Sequence, residues 1–165
     1  MPDLVIRIKK KTDGNAALSC VRADGSMTWQ RQQGRQAAFF PMHDLTHYAV
    51  ETVLGFRRAF YGLLADGWDL SRFEAPDARA QIPEEAILAE VVVGFLDTER
   101  ATGGAASAGD FNWKIQGYWE NNRLPPTSFR MTDERLARIR QVRDELFGQW
   151  RALPAGDALI LRFDR

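Results

Sequence analysis

Leu4-Val-Ile-Arg-Ile-Lys-Lys10, Ala16-Ala-Leu-Ser-Cys-Val-Arg22 and Met27-Thr-Trp-Gln-Arg31 are three short, partly alternating runs separated by Asp13-Gly14 and Asp24-Gly25. Asp-Gly between such runs is a hairpin signal, because glycine accepts the positive φ that tight turns demand. The first third therefore reads as a β-meander. A two-residue loop at Asp24-Gly25 would pair Cys20 with Trp29. A three-residue loop at Asp13-Gly14-Asn15 would pair Ile8 with Cys20. Leu4, Ile6, Ile8, Leu18, Cys20, Met27 and Trp29 would then share one apolar face. On that face Cys20 is a small buried hydrophobe rather than a nucleophile.

Beyond the meander the hydrophobic period changes. Leu45, Ala49, Val53, Phe56, Phe60, Leu63 and Leu64 recur at helical spacing from about Pro41, with Gly67 as a stop. Residues 68–82 read as a connection. Pro83-Glu84-Glu85 opens a second helix running to about Arg100, with acids where the helix dipole favours them. Its apolar residues, Ile87, Leu88, Val91, Val92, Val93 and Phe95, cover enough of its surface to suggest burial on more than one side. Ala101–Gly109 is of low complexity and reads as a mobile loop. Thr132 caps a third helix that ends near Leu153-Pro154, and Asp157–Phe163 suits a strand returning to the N-terminal sheet. The expected fold is α+β: an antiparallel sheet of about four strands, three from the N-terminal meander and one C-terminal, packed against about three helices.

Length and composition narrow the function classes. The chain has 165 residues, with 22 Lys+Arg, 22 Asp+Glu, two His and one Cys. That is the size of a single domain, 1–165, able to bury a core without disulfides or a structural metal. No apolar run approaches the roughly 20 residues of a membrane span, and the N-terminus turns basic where a secretory signal would be apolar. A lone cysteine suits a reducing, cytoplasmic setting. Charge is uneven: residues 41–110 hold five basic and twelve acidic side chains, whereas both flanks are basic. The run Lys9-Lys10-Lys11 falls short of the basic stripe a nucleic-acid binder shows, so nucleic acid is not the expected partner. Wide apolar stripes and five tryptophans make a homodimer the expected assembly. Phosphate loops, serine-nucleophile elbows, Cys-x-x-Cys pairs and EF-hand spacing are all absent.

One constellation carries chemistry. Both histidines stand four residues apart in Pro41-Met-His43-Asp44-Leu-Thr-His47-Tyr-Ala-Val-Glu51, so they share one helical face. Such a pair can hold one zinc or other divalent ion, as His-Glu-x-x-His does in zinc peptidases, although Asp44 replaces their general-base Glu. The five residues His43–His47 also resemble, locally, the metal motif of a coenzyme Q biosynthesis protein family. That family's downstream Glu would fall on Ala59. Glu51 is the candidate third ligand within the helix, yet it lies about 12 Å from His43 along the axis. Glu90 or Asp97 of the second helix has the better geometry. Asp44 would orient an imidazole or water, and Arg143, inside the apolar stripe of the third helix, would bind a small anionic ligand.

Bland alternatives stand beside each of these. The histidines could form a structural polar network with their carboxylate neighbours. Arg143 could pair with Glu51, Glu90 or Asp97, or lie over Trp150. The aromatic run Phe111–Trp119 could be core or a binding surface, with Trp113 or Trp119 as its anchor. Two functions remain open: a metal-binding protein or small metal-dependent enzyme, and a non-catalytic interaction module.

Overall fold

In the computed structural model, which describes residues 1–165, the meander forms as expected: β1 (Leu4–Lys10), β2 (Ala16–Arg22) and β3 (Met27–Gln32). The last strand, β4 (Ala158–Phe163), pairs with β1, giving an antiparallel sheet of order β3-β2-β1-β4. Six helices lie between β3 and β4: α1 (Arg35–Leu54), α2 (Phe60–Ala65), α3 (Ala78–Gln81), α4 (Glu84–Thr102), α5 (Ala108–Asn121) and α6 (Asp133–Ala152). The α+β class holds, with more helices than the three expected. None is long and apolar enough to cross a membrane.

The two hairpin registers differ from expectation in instructive ways. Between β1 and β2 the pairing is Ile6 with Cys20 and Ile8 with Leu18. This is a shift of two residues, so the same side chains still face inward. Between β2 and β3 the pairing is Cys20 with Thr28 rather than Trp29. The turn is one residue longer than two: Arg22 N–H donates to Ser26 O at 2.9 Å, and Gly25 takes a positive φ of 84°. A three-residue hairpin loop ending in a left-handed residue is the next commonest solution after the two-residue turn. One residue of slip reverses the strand's faces. Met27 and Trp29 point to solvent, 55% and 56% exposed, while Thr28 and Gln32 turn inward. Trp29→Thr is accordingly expected to change the unfolding free energy by less than about 0.5 kcal/mol in urea titration. A loss of about 3 kcal/mol or more would mean that the ring is buried after all.

The helical segment is also divided differently. The chain turns helical at Arg35, before Pro41, which sits inside α1 and withholds the N–H that would reach the carbonyl four residues back. The helix then stops at Gly55, whose left-handed φ of 68° lets its N–H return to Glu51 O. Phe60, Leu63 and Leu64 therefore belong to a second helix at a new angle, not to a continuation reaching Gly67. Gly62 in α2 is required by space: a Cβ there would stand 2.0 Å from the Arg57 carbonyl oxygen. Ser107 opens α5 with a capping box to Asp110, so the low-complexity stretch ends in a helix start. Phe111, Ile115 and Trp119 form the buried stripe of α5, and Trp113 is left outside it, 76% exposed. Trp119 is therefore core and not a surface anchor.

Two apolar clusters result. The inward face of the sheet packs on Leu45, Tyr61, Leu64, Leu146 and Phe147. Behind it, α1, α4, α5 and α6 share a second cluster in which Leu88, Ala89, Val91, Val92, Val93 and Leu96 show that α4 is buried on several sides. Cys20 lies in the first cluster, and burial pushes its thiol up to about 12, so it stays protonated. Helix α1 lies between the two clusters and contributes to both. Its polar residues are consequently forced into the interior.

Candidate metal centre

The face of α1 that meets α4 carries His43 and His47, one turn apart, with ring centroids 4.8 Å from each other. Glu90 approaches from α4, its Oε1 3.3 Å from His47 Nε2. His43, His47 and Glu90 each offer a ligand atom, and the three atoms lie within 4.8 Å of one another, near enough to hold one metal ion. Two imidazole nitrogens and a carboxylate oxygen suit zinc or another divalent transition metal.

The far side of each imidazole is held by a second carboxylate. His43 Nδ1 is 2.6 Å from Asp97 Oδ2, and His47 Nδ1 is 3.1 Å from Glu51 Oε1. A carboxylate behind a metal-binding imidazole fixes its tautomer and orientation, leaving the other nitrogen for the ion. Glu51, expected as a ligand, thus stands on the opposite side of His47 from Glu90. Its oxygens are already engaged: Phe60 N–H donates to Oε1 and Tyr61 N–H to Oε2, both at 3.0 Å. The first turn of α2 is anchored by this buried carboxylate.

Asp44 does not reach an imidazole through a hydrogen bond. Gln32 Nε2 donates to its Oδ2 at 2.8 Å, and the Tyr61 hydroxyl donates to its backbone carbonyl at the same distance. The carboxylates within hydrogen-bond reach of the two Nδ1 atoms are Asp97 and Glu51. Gln32 was invisible in sequence because it enters the interior only through the shifted β3 register.

Arg143 is not part of this cluster. Its guanidinium meets Glu99 at 3.4 Å and Asp144 at 3.0 Å, none of the three carboxylates expected as partners. Arg140 shares Glu99, whose carboxyl, despite the burial that raises it, is held below its ordinary value by Arg140 and the other donors. The stripe of α6 meets the C-terminal half of α4 at Glu99, which explains the different partner. The Arg143 charge is met there by Glu99 and Asp144, where an unpaired one would be costly.

The electrostatics of the histidine cluster are unbalanced. Four carboxylates, Asp44, Glu51, Glu90 and Asp97, surround two imidazoles, and Arg100 approaches Asp97 at 3.7 Å. Burial raises Asp44 to about 6 and also raises Glu51. Burial opposes a charged His47, but Glu90 and Glu51 on either side of it raise its pKa to about 10. Glu90 has the reverse balance: burial raises it, and His47 brings it below its ordinary value. Without an ion, the two N–H groups of the His47 imidazolium face one carboxylate each, Nδ1 toward Glu51 and Nε2 toward Glu90. A divalent cation would bring more positive charge to the same place.

Glu90 is the most exposed member of the group. His47 is 2% exposed and Glu90 56%, and Glu90 forms part of a cleft of about 510 Å³ lined also by Phe73, Arg79, Ile82, Ile87 and Tyr118. Phe73 packs on Phe60, which packs on His47, so the cleft and the imidazole share a wall. No protein-family model, curated protein or solved structure matches the chain.

Proposed function

We propose that this protein is a small metal-dependent enzyme whose divalent ion is held by His43, His47 and Glu90. The observation that carries this reading is the pairing of each imidazole with its own carboxylate, Asp97 or Glu51, while Glu90 faces them across the gap. A purely structural ion-pair network needs one carboxylate per imidazolium. This cluster has an excess of them. Three protein ligands also leave at least one coordination position open, as catalytic sites do and four-ligand structural sites do not. A bound divalent ion supplies Lewis-acid polarisation of an oxygen ligand in that position.

The cleft beside Glu90 supports a substrate with an apolar body and an acidic end. Phe73, Ile82, Ile87 and Tyr118 offer the apolar wall. Arg79 is its free guanidinium, since no ion pair or side-chain hydrogen bond engages it. In this reading Arg79, rather than Arg143, meets the anionic group.

Metal content tests the reading. The purified, untagged protein is expected to carry a transition metal near one equivalent by plasma mass spectrometry, or to take up zinc in calorimetry after chelation. The His43→Gln variant is expected to lose that metal while its far-UV circular dichroism stays that of the parent. An apoprotein that takes up no zinc would overturn the reading, leaving the histidines as an ion-paired polar network.

A further inference from the structure

The outward face of the sheet is an ordered grid. Across β4, β1, β2 and β3 its three rows read Arg162–Val5–Val21–Met27, Ile160–Arg7–Ser19–Trp29 and Ala158–Lys9–Ala17–Arg31. No acidic side chain stands in it. Its four cations, Arg7, Lys9, Arg31 and Arg162, form no ion pair, unlike Arg22, Arg100, Arg140, Arg143 and Arg165 elsewhere. In a chain of zero net charge this face therefore carries a concentrated positive potential. No helix covers it, and Trp29 and Ile160 are 56% and 59% exposed.

The grid also has relief. Ala17 and Ser19 on β2 are small, leaving a trough of about 350 Å³ between Arg7 and Lys9 on one bank and Met27 and Trp29 on the other. The banks are two strand spacings apart, about 9–10 Å, and same-face residues recur about every 7 Å along each strand. The Arg31 guanidinium lies over the Trp29 ring, 5.6 Å from its centroid.

We propose that this face binds single-stranded nucleic acid, with a base stacked on Trp29 and backbone phosphates on Arg7 and Lys9. An aromatic ring flanked by a row of cations is how sequence-tolerant single-strand binders are built, since every base has a stacking face and every nucleotide a phosphate. A duplex hides its base faces and would leave Trp29 unused. A second copy of the chain is disfavoured because two-fold pairing of this face would set its cations against one another. A bilayer surface is disfavoured because Arg7 and Ser19 separate Ile160 from Trp29, breaking the continuous apolar patch that insertion needs. The inference is independent of the metal centre, which lies among the helices on the sheet's other side. It also departs from the expectation drawn from Lys9-Lys10-Lys11. The linear run is not what matters, since Lys10 points inward to cap the Trp150 and Leu153 carbonyls, whereas the register gathers dispersed cations into one stripe.

Fluorescence anisotropy of the intact protein with a labelled uridine RNA of about ten nucleotides, at about 50 mM salt, tests the proposal. Binding is expected, with a log–log salt slope that falls in magnitude by about 1.4 in the Arg7→Gln, Lys9→Gln double variant, as loss of two single-strand phosphate contacts requires. Trp29→Ala is expected to weaken binding roughly 10-fold, while Trp113→Ala, which removes an exposed ring on α5, leaves it unchanged. Circular dichroism establishes that each variant is folded. The proposal is overturned if the RNA does not bind, if Trp29→Ala has no effect, if a duplex of equal length binds as tightly, or if anionic phospholipid vesicles bind and the RNA does not.

Discussion

Glu51→Ala is expected to lower the unfolding free energy by about 3–5 kcal/mol, the range measured when one partner of a buried charge pair is removed. Glu51 is fully buried and accepts from His47 and from the Phe60 and Tyr61 amides. Removing it strands two buried N–H donors at the start of α2 and leaves an imidazolium facing only Glu90. Unpaired buried donors cost about 1–3 kcal/mol each before any effect of the charge. Glu51→Gln keeps one acceptor oxygen and is expected to lose less. Urea titration at neutral pH gives the comparison. A loss below about 1 kcal/mol for the alanine variant would show that water enters and replaces the carboxylate.

The second large effect concerns metal rather than stability. Glu90→Gln is expected to weaken zinc binding by more than about 100-fold, because groups that merely support a ligand already account for 10–100-fold. Asp97→Asn, which loosens the grip on His43 Nδ1 without removing a ligand, should fall within that 10–100-fold range. Glu90 has a half-exposed side chain, so the apoprotein of Glu90→Gln should unfold within about 0.5–1 kcal/mol of the parent. Competition with a chromophoric chelator measures both affinities. Equal zinc affinity for Glu90→Gln and the parent would remove Glu90 from the ligand set.

These two predictions assign opposite roles to two glutamates that look interchangeable in the sequence. Glu51, four residues after His47, is the natural partner on a helical projection, and it does touch His47. What the projection omits is which nitrogen it touches and what else needs its oxygens. The break at Gly55 turns the chain back so that the start of α2 presents two unsatisfied amides to Glu51. That demand follows from where α2 docks. Arg143 is a similar case: its place inside an apolar stripe correctly signals a need for a partner, but Glu99 becomes that partner only because α4 and α6 both pack on α1.

Burial on α1 escapes a helical projection in the same way. A helical projection centred on Val53 and Phe60 puts His43 and His47 at the border of the apolar arc, with Asp44 and Glu51 beyond it. In the folded chain Asp44, His47 and Glu51 are among the most buried residues, and Val53 is only partly so. The projection fails because it treated residues from two helices as one and because α1 is enclosed from both sides. A hydrophobic arc describes a helix with one dry face. It cannot describe one sandwiched between a sheet and other helices.

The sequence by itself determined the strands, the helix over 133–152 with its Thr132 cap, the opening of α4 at Pro83-Glu84-Glu85, the α+β class and the pairing of two histidines on one helical face. Each of these rests on short-range physics: side-chain period, turn chemistry, capping and dipole. Only the tertiary structure decided the hairpin register, the break at Gly55, the third member of the metal group and the carboxylate behind each imidazole. A register shift of one residue changes no local contact type, yet it turns Trp29 from core to surface and brings Gln32 to Asp44. The distance from His47 to Glu90 spans two helices, so it is set by how α1 and α4 bury their apolar surfaces together, which no window of sequence contains.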